Sequence, residues 1–66
     1  MPEKYKAVSN IYSIIGKIKN YEIANKADIT TRTVSNFLHG RCVTKTTITL
    51  IAKALDKDIS EIAERV

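Results

Sequence analysis

Thr31, Arg32, Ser35 and Asn36 carry the side chains in this chain best suited to hydrogen bonding at the edges of nucleic-acid bases. An Arg guanidinium matches guanine O6 and N7 bidentately, and an Asn amide matches adenine N6 and N7 in the same way. A Thr methyl can meet a thymine methyl, and a Ser hydroxyl can donate or accept. His39 follows on the same polar face, and none of these residues is acidic. Val34, Phe37 and Leu38 stand at i, i+3 and i+4 between them, which is the buried stripe of a helix. The chemistry on offer is therefore recognition, with no reaction attached. Ser35 and His39 lie one helical turn apart, but no acid is placed to orient the His as a general base. His39 and Cys42 are too few for a zinc site, which needs about four ligands. The sequence suggests no metal, cofactor or catalytic group.

The elements that must hold this face are legible on either side. Thr30 is suited to cap the helix, because its hydroxyl can accept from an orphan amide of the first turn. Gly40 suits a left-handed stop. Upstream, Ile23, Ala24 and Ala27 form an earlier apolar pattern, interrupted at Asp28 and resumed at Ile29. Two short helices, a turn of three or four residues, and a polar second helix make the helix-turn-helix pattern. The loop from Arg41 to Lys45 comes next, and both of these residues are in reach of a DNA backbone beside the helix.

At these positions the chain resembles the phage repressor and Cro-like (lambda repressor-like) helix-turn-helix family. Ala24 matches the small residue of that family's first motif helix, Ile29 its apolar turn residue, and Val34 and Phe37 its buried pair. TVSNFLHG is also similar to the start of the Lac-repressor type. The segment TLIAKALDKDISEI, Thr49 to Ile62, favours the Cro-like type. The resemblance covers about two-thirds of the chain. It implies an all-α, compact five-helix domain that reads double-stranded DNA. Thr31, Arg32 and Asn36 would be the base-reading positions, with Ser35 beside them facing outwards. Asn20 matches a position at the start of the first motif helix, where amides and dipole favour a phosphate. Arg41 and Lys45 are further candidate phosphate contacts, with Thr30 and Lys26 weaker ones. The family usually has Gly where Asp28 stands, and often where Asp56 stands. At Asp28, Asp tolerates the left-handed conformation of the turn better than most residues, though less well than Gly; Asp56 is expected to end its helix.

The remaining helices follow from periodicity. Tyr5, Val8, Tyr12 and Ile15 recur at helical spacing, so a first helix is expected from about Glu3 to Ile15, with Pro2 at its start. Ile18 and Ile23 suit a hydrophobic staple around the second helix, which Asn20 could cap. Thr44 or Thr46 is the expected cap of a fourth helix carrying Ile48, Ile51, Ala52 and Leu55. Asp58 and Glu61 have capping-box spacing for a fifth, running to the C-terminus. No strand pattern is evident. The expected core is Val8, Ile15, Ala24, Ile29, Val34, Phe37, Ile51 and Leu55. Cys42 is expected to pack under its loop, and Tyr5, Tyr12 and Tyr21 to lie at the core edge.

Size and charge agree with a binding module. Sixty-six residues make one small domain, with no room for a separate catalytic or ligand-binding domain. The net charge is +4. Nine Lys or Arg between Lys4 and Lys53 face two acids, Glu22 and Asp28, while four acids (Asp56, Asp58, Glu61, Glu64) crowd the C-terminal end. A basic body suits a polyanion. A single Cys points to a reducing compartment, and no signal peptide or membrane-length apolar run is present, so a cytoplasmic site is expected. The function read here is transcriptional control, as a phage or mobile-element repressor. It would act as a homodimer at least on DNA, at a palindromic operator, with Ile59, Ile62 and Val66 as candidate dimer contacts or, equally, as the side of the fifth helix that closes the core. The alternative is a protein-interaction module of the same fold, of antitoxin or anti-repressor type, for which the acidic end leaves room.

Overall fold

The computed structural model describes residues 3–66. The order of elements is β1 (Lys4–Ala7), α1 (Ile11–Ile15), α2 (Asn20–Ala27), α3 (Thr31–Leu38), β2 (Val43–Thr44), α4 (Lys45–Leu55), α5 (Ile59–Ile62) and β3 (Ala63–Arg65). Among the described residues there are five helices, and the domain is mostly helical. It is not all-α, however, because the three strands form one antiparallel sheet in the order β2-β1-β3.

This sheet replaces the N-terminal part of the expected first helix and the C-terminal part of the expected fifth. Lys4–Ala7 alternates exposed and half-buried residues, with Tyr5 and Ala7 turned inward. Four residues are too few to separate that alternation from a helical stripe. The partners decide: Tyr5 pairs with Val43 and Arg65, and Ala7 with Ala63. Lys6 stands opposite Glu64, an opposite-charge cross-strand pair. At the other end, Ala63 turns extended (φ −145, ψ 157) and stops α5 after one turn. The last residues then hydrogen-bond to β1, Val66 N–H donating to the Lys4 carbonyl at 2.9 Å. A fraying helix end would leave those groups to water. Pro2, read as part of the helix start, lies outside the described residues.

The core is built from every element. Val34, Phe37, Ile48 and Ile62 are fully buried, with Ile11, Ile15, Ile23, Ala24, Val43 and Ile51 around them. Val8, Ile29 and Leu55, expected inside, are half-buried and pack against this cluster. Ile18 precedes the N-cap Lys19 and packs on the core that holds Ile23, as a staple requires. Cys42 is exposed, contrary to expectation. Its neighbour Val43 faces inward on β2, and alternation along an extended chain turns Cys42 out. Tyr12 and Tyr21 are also exposed.

Three helices end in one device. After α2, Ile29 N–H donates to the Ala24 carbonyl (3.0 Å) and Asp28 N–H to that of Asn25. After α3, Arg41 bonds back to Asn36 and Gly40 to Phe37; after α4, Lys57 bonds to Ala52 and Asp56 to Lys53. These are Schellman motifs, which need a left-handed residue. Gly40 has φ 92, but Asp28 (φ 58) and Asp56 (φ 56) hold the conformation with a side chain. Asp28→Gly should therefore stabilise the domain, by roughly 0.4–1 kcal/mol at most because Gly also loosens the unfolded chain. Asp28→Val should destabilise it, since a β-branched residue resists positive φ. Urea unfolding of both variants beside the parent checks this, and equal tolerance of Val and Gly would refute it.

Glu3 ties the sheet to α4. Its carboxylate accepts from the Tyr5 hydroxyl (3.0 Å) and lies 3.7 Å from both Lys45 Nζ and the Arg65 guanidinium. The Tyr5 hydrogen bond first, then Lys45 and Arg65, hold its pKa below the ordinary carboxylate value. A folded pKa below the unfolded one contributes stability that is complete above the unfolded value, about pH 4. That contribution disappears as pH falls through the folded value. The stability gap between the parent and Glu3→Gln should thus be largest near neutral pH and close under acid. A gap independent of pH in urea titrations would show that the carboxylate charge plays no part.

Candidate nucleic-acid interface

The site rests on the packing of α3 against α2, and of α2 against α4. The Asp28 turn sets the angle between α2 and α3, and Ile29, half-buried at that turn, packs on the core. Thr30 is the N-cap of α3, in extended conformation (φ −75, ψ 150). Its Oγ1 accepts from Thr33 N–H at 3.2 Å, and the two Thr hydroxyls share a second bond of 2.8 Å. Thr44 caps α4 in the same way through Thr47. Of the two caps considered for α4, Thr44 is the one used. Asp58 and Glu61 form the expected capping box on α5.

Capping of this kind places the four base-reading candidates. Thr31 and Arg32 are the first two residues of α3 and are exposed, while Ser35 and Asn36 follow one turn later and are partly exposed. Val34, Phe37 and Leu38 are buried beneath them. A helix with one side locked in the core presents the other side as a rigid row of donors and acceptors. No acid occurs from Ile29 to Leu55, so nothing on α3, the following loop or α4 repels a polyanion.

The phosphate candidates lie before and after that row along the chain. Thr30 precedes it, with its hydroxyl already engaged in the cap. Arg41 is exposed just after the Gly40 turn. Lys45 is the first residue of α4 and exposed, though within 3.7 Å of Glu3. Asn20 is the first residue of α2, not its cap: Lys19 takes the cap position and makes no side-chain bond there. The Asn20 side chain is thus not used for capping. Lys26 is exposed in the last turn of α2.

One contact is not legible in the sequence: a helical reading of Glu3 hides its approach to Lys45. Ser35 and His39 do meet, Oγ to Nδ1 at 3.4 Å, though not as a catalytic pair. Their i, i+4 spacing was the available signal. Of the C-terminal apolar residues, Ile62 is buried in the core, Ile59 packs on it, and Val66 is exposed. A shallow depression at the end of α4 is lined by Lys53, Asp56, Lys57, Asp58 and Glu61. Among the described residues, no group of three or more His, Cys, Asp or Glu is placed to hold a metal ion. Nor is any helix among them long and apolar enough to cross a membrane.

No curated protein and no solved structure shows a significant match to the chain. A helix-turn-helix family model matches residues 16–62, from the glycine that ends α1 to the last residue of α5. With α2, the Asp28 turn and α3 disposed as described, the chain belongs to the helix-turn-helix family of DNA-binding regulators.

Proposed function

We propose that this chain is a sequence-specific repressor of phage or mobile-element type, in which α3 enters the major groove of an operator. The observation that carries this reading is α3 itself. It is free of acids, is locked by Val34, Phe37 and Leu38, and offers Thr31, Arg32, Ser35 and Asn36 outward. Arg32 reads a guanine, and Asn36 an adenine. Asn20, Thr30, Arg41 and Lys45 hold phosphates on either side, which sets register without carrying sequence information. Occupancy of the operator then excludes polymerase. One module this small covers few base pairs, so the operator is two-fold and two copies bind it. Val66, exposed at the end of the edge strand β3, is the apolar contact left for that pairing.

Enrichment of random duplexes on the purified protein tests the proposal, with a palindromic site as the expected product. Affinity for that site should fall steeply with salt. With about six phosphates neutralised per bound unit, log K against log salt should have a slope of roughly −5. No enriched site and a flat salt response would favour the protein-interaction module, whose contact surface would be the depression of mixed charge at the end of α4.

A further inference from the structure

His39 closes α3 one turn beyond Ser35 and addresses that residue twice. Its backbone N–H donates to the Ser35 carbonyl at 3.0 Å, and its Nδ1 lies 3.4 Å from Ser35 Oγ. The Gly40 turn that follows holds His39 at the helix end (φ −86, ψ 7). A Ser hydroxyl has one proton to give and two lone pairs to offer. A neutral imidazole has one donor and one acceptor nitrogen, and the partner of one nitrogen decides the state of the other. If Nδ1 carries the lone pair, Ser35 spends its proton on His39 and shows a base only acceptor sites. If Nδ1 carries the proton, Ser35 receives it and keeps its own O–H for a base. In water this choice matters little, because solvent satisfies either arrangement. Inside a groove that excludes water, the pair must satisfy itself.

We propose that His39 is a positioning residue that sets which base Ser35 reads. This rests on Ser35 being a base-reading residue. His39 is exposed at the end of α3, no acid stands on α3, the following loop or α4, and with α3 in the groove its Nε2 faces DNA phosphate. In the neutral imidazole, a phosphate accepting from Nε2–H leaves Nδ1 as the acceptor. Ser35 then donates to Nδ1 and accepts from a base amino group. The bases that present an amino group in the major groove are adenine, through N6, and cytosine, through N4.

The test is enrichment of random duplexes on four proteins: the parent, Ser35→Ala, His39→Ala and the double variant. The parent should prefer adenine or cytosine at one position in each half-site, and Ser35→Ala should lose that preference. His39→Ala frees the Ser35 hydroxyl to donate as well as accept, so the preference for adenine or cytosine at the same position should relax by about fivefold, the factor that one net hydrogen bond is worth. In the Ser35→Ala background, the His39 change should have no effect at that position. Uniform weakening on all sequences by His39→Ala, with Ser35→Ala still relaxing its position, would overturn the proposal and leave His39 a phosphate contact. No change with Ser35→Ala would overturn the base-reading role of Ser35, and the proposal with it. His39→Phe keeps a ring without a nitrogen and replaces the Ala variant if that one does not fold.

Discussion

Phe37→Ala should take away a large part of the domain's stability and lower its urea midpoint more than any surface change. Phe37 is fully buried, on the inner side of α3 and in one cluster with Val34, Ile48, Ile51 and Ile62. Truncating a buried Phe costs about 3–5 kcal/mol, from lost transfer energy and the cavity left behind. A chain this size has roughly 3–10 kcal/mol of total stability. The loss is therefore about a third of the total or more, and all of it at the low end of that range. DNA binding should fall on every sequence alike, because α3 no longer has a fixed outer face. Phe37→Leu keeps most of the volume and should fold with a lowered urea midpoint. Circular dichroism and urea titration of the two variants decide the matter. A Phe37→Ala protein with the parent's midpoint would show that α3 is not seated as described.

Arg32→Ala should leave stability within about 0.5 kcal/mol of the parent, because Arg32 is exposed. At the enriched site, however, it should cost about 1–3 kcal/mol, the worth of one bidentate guanine contact. Affinity for random duplex should fall much less. Arg32→Lys keeps the charge but not the planar fork, so it should recover non-specific binding more than the base preference. Fluorescence anisotropy on the enriched and scrambled duplexes separates the two effects. Equal losses on both would make Arg32 a phosphate contact only.

The sequence by itself determined the parts that depend on near neighbours. The helix-turn-helix was legible because a cap at Thr30, a stripe at Val34, Phe37 and Leu38, and a stop at Gly40 are interactions within one turn of helix. The left-handed Asp28 and the Asp58–Glu61 capping box were legible for the same reason. The sheet was decided only by tertiary structure. Lys4–Ala7 pairs with residues 43–44 on one side and 63–65 on the other, and nothing local in four residues distinguishes that strand from helix. The exposure of Cys42, the approach of Glu3 to Lys45 and the burial of Ile62 all follow from where those strands meet. Pairings between distant segments are set by which backbone groups and apolar faces remain unsatisfied once the helices have formed. Periodicity along the chain carries no record of them.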